Sequence, residues 1–288
     1  MLFVPQSQNF QWYYSNMTNT RPTTTGFGTS VASAFAPSFG SWVQLASSAS
    51  MAQDTYGVLI NLNNTFFSTA TRNYLVDIGV DNAGGTNYTT LIPTLVGGCA
   101  PPYGTGSGGF WYYFPIYIKA GSSVAARATH SSGGSAVSVY VKFFGRPRNP
   151  EAVKVGSYVD AFGIDLTNAR GTTIAFDAVG TTAVGNWMQI GSNTTRSYWW
   201  AQSCLWNGEP SLNAGVMHID LAVGNTTSKK IIYEDQYAAT TTLEQVSNYP
   251  VFPASPSNIA AGERLYMRGQ YSGTPQSGLG FAAWALGG

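Results

Sequence analysis

His130 and His218 are the only histidines of the chain, and so the only side chains whose ordinary pKa lies close to neutrality. Neither has a carboxylate or a thiol at a spacing that would make a metal site or a catalytic triad. His218 stands where a leucine, Leu75, stands in a related segment upstream, which favours a packed or surface strand residue over a general base. Cys99 and Cys204 are the only cysteines, lie far apart and carry no metal-type spacing, so two free thiols are expected and no bound metal. No Gly-x-Ser-x-Gly elbow, His-Glu-x-x-His helix or phosphate-binding glycine loop is present; Gly104 to Gly109 lacks both the lysine and the following helix that such a loop requires.

Among the acids, Asp77 and Asp220 stand out, because each sits in the middle of an apolar strand-like run. Strand alternation puts Asp77 on one face with Leu75 and Gly79, opposite Val76, Ile78 and Val80. A carboxylate placed in such a run needs a partner. Arg127 and Arg268 are the matching cations, and the expected pairs are Asp77 with Arg127 and Asp220 with Arg268. An acid-base dyad would need two carboxylates roughly 5 to 10 Å apart, and no second matched acid exists. The expected role is a structural ion pair, and the chain is expected to have no catalytic residues and no cofactor.

These residues recur because the elements that carry them recur. Gly40-Ser41-Trp42-Val43-Gln44-Leu45 is echoed by Gly185-Asn186-Trp187-Met188-Gln189-Ile190, Leu75 to Val80 by His218 to Val223, and Ala120-Gly121 with Arg127 by Ala261-Gly262 with Arg268. The tryptophans are 145 residues apart, the aspartates 143 and the glycines 141, a drift that loops absorb. Such in-register matches predict a tandem duplication of a domain of ordinary size. The expected organisation is an extended N-terminal arm over 1–27, a first repeat over 28–145, a linker over 146–157 stiffened by Pro147 and Pro150, and a second repeat over 158–288.

Both repeats read as strands. Val43 and Leu45 alternate with Trp42 and Gln44, and Val137, Val139 and Val141 alternate with Ser138, Tyr140 and Lys142, the period-two pattern of a half-buried strand. Glycine-rich turn clusters separate these segments, and no helical period of ten residues or more is found. An all-β protein follows, with about eight strands per repeat, the number of a jelly-roll sandwich. In this frame Trp42 and Trp187 are expected in the core of each repeat. Trp12 and Tyr13 in the arm, Trp111 and Tyr112 in the first repeat, and Tyr198 and Trp199 in the second are the candidate contact aromatics. The arm has two expected placements, paired with a sheet edge of a neighbour or strapped onto its own first domain.

Composition limits the function further. Charged residues make up only 9% of the chain, well below the roughly 25% usual in soluble domains. A net charge of +1 with scattered Lys and Arg argues against a nucleic-acid partner. No run of 18 apolar residues or basic leader is seen, so neither a membrane span nor a signal peptide is expected, and synthesis in the cytosol is. A neutral surface of hydroxyls and amides is typical of proteins packed in assemblies or working outside cells.

Taken together, the repeated Gly-x-Trp-x-Gln motif, the Val76-Asp77-Ile78 and Ile219-Asp220-Leu221 strands, the Pro115-Ile116-Tyr117-Ile118-Lys119-Ala120-Gly121 segment, Arg127 and the linker from Arg146 to Glu151 resemble a group of tandem β-sandwich virion proteins of tailed bacteriophages. The resemblance runs from about residue 28 to 288, and repeat two departs from it at Tyr249 to Ala261, where a proline-rich insert stands. It implies a non-enzymatic structural component of a virion, made in the host cytoplasm. The expected form is a decoration or cement protein of the head, a homotrimer seated on the major capsid protein. The alternatives are a tail or fibre component whose aromatics bind host glycan and a double jelly-roll major capsid protein. The rival from another class is a β-sandwich carbohydrate-active enzyme, for which the sequence offers no acid pair.

Overall fold

The computed structural model describes residues 11–16, 28–63, 72–99, 110–131, 136–145, 154–173, 185–207, 215–240, 251–252, 256–271 and 279–288. Most of the linker, the Gly104 to Gly109 loop, the rest of the arm and much of the insert after Tyr249 lie outside the described residues.

Every described element is a β-strand. The first half holds β1 (Trp12–Ser15), β2 (Thr29–Phe35), β3 (Val43–Ala46), β4 (Gly57–Asn63), β5 (Arg72–Asp81), β6 (Thr89–Cys99), β7 (Phe110–Phe114), β8 (Ser123–His130) and β9 (Ala136–Phe144). The second holds β10 (Tyr158–Phe162), β11 (Ile164–Asp165), β12 (Arg170–Thr173), β13 (Met188–Gln189), β14 (Tyr198–Asn207), β15 (Gly215–Gly224), β16 (Lys229–Thr240), β17 (Val251–Phe252), β18 (Pro256–Ile259), β19 (Arg264–Tyr271) and β20 (Leu279–Gly287).

The pairings of the first half are nested: β2 with β9, β3 with β8, β4 with β7 and β5 with β6. That is one long double ribbon, and it closes on itself where β4 also pairs β9 and β5 also pairs β8. The result is a jelly roll, with sheets β2-β9-β4-β7 and β3-β8-β5-β6. Strand β2 turns the corner between them, its start antiparallel to β9 and its end parallel to β8. The second half repeats the scheme: β10 and β12 pair β20, β13 pairs β19, β14 pairs β17, β18 and β20, and β15 pairs β16 and β19.

Local irregularities recur as well. Val76 faces Leu95 and Ile78 faces Ile92, so Pro93 and Thr94 together oppose Asp77 in a β-bulge. Ile219 faces Gln236 and Leu221 faces Tyr233, so Glu234 and Asp235 oppose Asp220 in the same way. The two Ala-Gly turns match too: Gly121 and Gly262 hold φ of 78° and 90°, and Ser122 and Glu263 donate to Lys119 and Ala260 three residues back. That is a type II turn, whose third position needs glycine.

Alternation sets the first core, with Val124, Ala126 and Ala128 of β8 and Val137, Val139, Val141 and Phe143 of β9 pointing into it. Strand β20 behaves differently. Phe281, Ala283 and Ala285 belong to the second core, whereas Ala282, Trp284 and Leu286 join the first. A strand covered on both faces reads as a continuous apolar run, and Phe281-Ala282-Ala283-Trp284-Ala285-Leu286 is such a run.

Trp284 shows what this does. Its ring lies 5.1 Å from Tyr112 of β7, edge to face, and its Nε1 donates to the Pro93 carbonyl of β6 at 2.9 Å. Beside it Trp200 of β14 meets Phe114 of β7 at 5.6 Å. Strands β6 and β7 are the edges of the two sheets of the first sandwich, and the gap between two sheet edges is where a sandwich leaks its core. Here the outer face of the β10-β20-β14 sheet closes it. The bulge supports this contact, since a proline in a strand is tolerated at a bulge and Pro93 presents its carbonyl to the indole.

The described part of the arm straps onto its own sandwich. Trp12 pairs Phe144 and Ser15 pairs Lys142 of β9, beside β2 on the same strand. Asn16 plugs the junction, its amide donating to the Val139 carbonyl at 2.8 Å and accepting from the Val141 N–H at 2.9 Å.

Candidate functional site

The two matched clusters lie on the outer faces of corresponding sheets. Asp77 of β5 and Arg127 of β8 stand directly opposite each other, and Arg127 donates to Asp77 Oδ2 from Nε at 2.9 Å and from Nη2 at 2.8 Å. Asp77 Oδ1 accepts the Thr94 N–H at 2.9 Å, which satisfies the bulge from the other side. Thr94 holds a φ of 48°, unusual for a β-branched residue, so this hydrogen bond pins a strained position. In the second sandwich Arg268 Nε donates to Asp220 Oδ2 at 2.7 Å, again across directly opposed positions. Both carboxylates are nearly fully buried while their arginines remain partly open to solvent.

The repeated tryptophans complete these clusters and are not in the core, which is where their repeated context with apolar flanks such as Val43 and Leu45 led us to expect them. Trp42 is half-buried on the outer face, with the Arg127 guanidinium 4.6 Å from its ring centre and Phe39 on the same cation at 4.9 Å. Gly79 makes room, since a Cβ there would meet the Trp42 ring at 2.6 Å. Trp187 is likewise half-buried, 4.4 Å from the Arg268 guanidinium. Tryptophan has the strongest quadrupole of the aromatic side chains. Stacked on an arginine it shields the ion pair from water, an attraction that a hydrophobicity pattern does not register.

The contact aromatics divide by strand face. Trp12 is 54% exposed with Lys142 over its ring, and Trp111 is half-buried, edge-on to Tyr140. Tyr13 is tied down by hydrogen bonds to the Gln53 carbonyl and Thr55. Tyr112 and Tyr198 are buried, and Tyr198 borders a cleft at the end of the second sandwich. The reason is alternation: Tyr112 and Phe114 point inward on β7, where the second sandwich covers them, and Tyr198 is closed in by Tyr158 and Phe162 and donates to Asp160 at 2.7 Å. Trp199, the next residue, is half-buried under the Lys154 ammonium.

His130 is buried in β8, and His218 is half-buried in β15 opposite Tyr237 and Gln270. Among the described residues no three His, Cys, Asp or Glu side chains converge as metal ligands would. Cys204 is fully buried at the junction of the sandwiches, and burial pushes its thiol pKa up to about 12, while the neighbouring Tyr112 hydroxyl is also pushed well up by burial. Only the thiolate alkylates. Peptide mapping after iodoacetamide treatment at pH 8 is therefore expected to find Cys204 unmodified in the folded protein and fully modified in urea. Labelling of the folded chain at the rate of a free thiol would contradict this placement.

One further concavity is a cleft of about 610 Å³ at the end of the second sandwich, lined by Lys154, Tyr158, Trp199, Lys230, Asn258 and Glu263 among others. Tyr198 borders it too, and sequence reasoning singled out Tyr198 and Trp199 alone among its lining residues. The remainder come from elements distant in the chain and share no spacing signal.

Fold and geometry thus define a double jelly-roll protein whose matched polar clusters sit on outer sheet faces. No family model and no curated protein matches the chain. Among solved structures it is similar to the STIV MCP, at 9% identity over 95% of each chain with a TM-score of 0.38. It is also similar to PNGF-II, at 10% identity over 99% of this chain and 66% of that one with a TM-score of 0.40. A third similarity is to the Broad Bean Stain Virus structure, at 9% identity over 99% and 92% with a TM-score of 0.32.

Proposed function

We propose that the chain is a non-enzymatic structural protein of a virus particle, and within that class a decoration protein of a bacteriophage head that acts as a homotrimer. The observation that carries the reading is the shared core. Two jelly rolls joined through Trp284, Tyr112, Trp200 and Phe114 form a rigid block, which suits repeated docking on a lattice. The low charge of the surface supports the same reading, because neutral polar faces cost less to desolvate in an assembly than charged ones. In this reading the Asp77–Arg127 and Asp220–Arg268 pairs are structural staples and the two halves descend from one duplicated unit, which the recurring bulges and turns support. The shared core also favours a second reading, a double jelly-roll major capsid protein.

Quantitative mass spectrometry of purified particles separates these outcomes. A copy number in the hundreds beside a different, equally abundant shell protein is expected for a decoration protein. This chain as the dominant shell component would instead favour the major capsid reading. A handful of copies would move it to the tail or a fibre, and absence from the particle would overturn the virion reading.

A further inference from the structure

We propose that copies of this chain meet head to tail: the outer face of strands β9, β4 and β7 of one copy packs on the β16 flank of the next, and Lys142 of one pairs with Glu234 of the other. Within one chain the same kind of contact already exists. The sheet of β10, β20 and β14 rests its outer face on the first sandwich, where Trp284 Nε1 donates to the Pro93 carbonyl of β6 at 2.9 Å.

Strand pairing fixes which residues of the two sandwiches correspond. Thr29 pairs Val139 and Thr172 pairs Phe281, and a Cβ on the preceding glycine, Gly28 or Gly171, would strike the backbone of that same partner at 2.4 Å or 2.8 Å. On β4 and β14, Leu62 and Leu205 face those same two residues. Counting on equally from Val139 and Phe281 puts Lys142 of β9 in the place of Trp284 of β20. The bulges opposite Asp77 and Asp220 put Glu234 of β16 in the place of Pro93 of β6. The two positions joined by a hydrogen bond inside the chain thus have counterparts of opposite charge.

Both counterparts are placed to meet a partner. Glu234 is exposed, Lys142 is half-buried with its ammonium 4.6 Å from the centre of the Trp12 ring, and neither joins an ion pair among the described residues. Lys142 is also the one charged residue of β4, β7 and β9. Around it the half-buried Trp111 and Tyr113 lie edge to face against the buried Tyr140 and Phe144, and Trp12 beside them is 54% exposed. Aromatic enrichment with charge depletion is the composition of an interface core and not of a solvated sheet face. A second copy is the partner that supplies an acid at the position the internal contact dictates. Such a contact is heterologous and repeats from copy to copy until a ring closes. Closure at three copies rests on the homotrimer reading above, whereas the contact itself does not.

Sedimentation velocity of the full chain over a concentration series, with Lys142→Glu, Glu234→Lys and the double variant, tests the contact. The parent is expected to self-associate. Each single reversal sets like charges together and is expected to weaken association roughly tenfold or more, and the double variant to recover most of that loss. Lys142→Glu also gives up the contact with Trp12; the double variant lacks that contact too, so its recovery separates the ion pair from the strap and from misfolding. A parent that stays monomeric throughout, single variants that associate as the parent does, or a double variant no better than the singles overturns the proposal. Copy number per particle tests the virion reading separately and does not move with these outcomes.

Discussion

Trp284→Ala is expected to destabilise the protein by about 4 kcal/mol, the range for removing a buried tryptophan from a packed core, and to separate one unfolding transition into two. The indole is fully buried, serves the first core from a strand of the second sandwich, and closes the gap between β6 and β7. Its loss opens a cavity against Tyr112 and frees the Pro93 carbonyl that Nε1 engages at 2.9 Å. Differential scanning calorimetry reads both effects, in the fall of Tm and in a second heat-absorption peak from a sandwich that no longer has its neighbour's support. Trp284→Phe keeps most of the packing and gives up the hydrogen bond, so a loss of only about 1 kcal/mol is expected there. A single transition with unchanged Tm in the alanine variant would show that the sandwiches do not depend on this contact.

Asp77→Ala is the second large effect, expected at about 3 kcal/mol. The carboxylate is buried and joins two things at once, the Arg127 guanidinium across the sheet and the Thr94 N–H in the bulge. Removing one partner of a buried pair costs more than the pair contributes, because the other charge is stranded. Arg127 retains 32% side-chain exposure and can turn toward water, which keeps the expected cost below the upper end for fully buried pairs. The Thr94 N–H also loses its acceptor, and Thr94 sits at a φ of 48°. Urea titration of Asp77→Ala, Arg127→Ala and the double variant resolves the coupling: the double variant is expected to be less destabilised than the sum of the singles. Strict additivity, or an Asp77→Ala midpoint equal to that of the parent, would remove the pair from the list of what holds β5 to β8. Asp220→Ala is expected to follow the same pattern through Arg268.

The clusters were partly legible in the sequence, for a physical reason. An acid in an apolar strand must find a cation, and the only cation that recurs in register with it is the arginine. Strand period two placed Asp77 on the face opposite Val76 and Ile78, and in the structure it lies on the outer face with Arg127. The tryptophan on the same arginine was not legible: alternation sets Trp42 with Gln44, opposite Val43 and Leu45, but carries no record of the attraction between an indole and a guanidinium. Tyr112 and Trp111 show a related gap. Alternation divides neighbouring aromatics between two faces, and nothing local says which face another sandwich will cover.

By itself the sequence determined the all-β class, the strand alternation and the two turns that demand Gly121 and Gly262, because each depends on residues close together along the chain. Only the tertiary structure decided that β20 serves two cores, that Tyr112 and Cys204 are sealed between sandwiches, and that Lys154, Tyr158, Lys230, Asn258 and Glu263 share a cleft. Those outcomes rest on contacts such as that between Trp284 and Pro93, which lie 191 residues apart in the chain. Which of two apolar faces finds a partner at that distance is set by how whole sheets pack, and a periodic pattern within one strand contains no term for it.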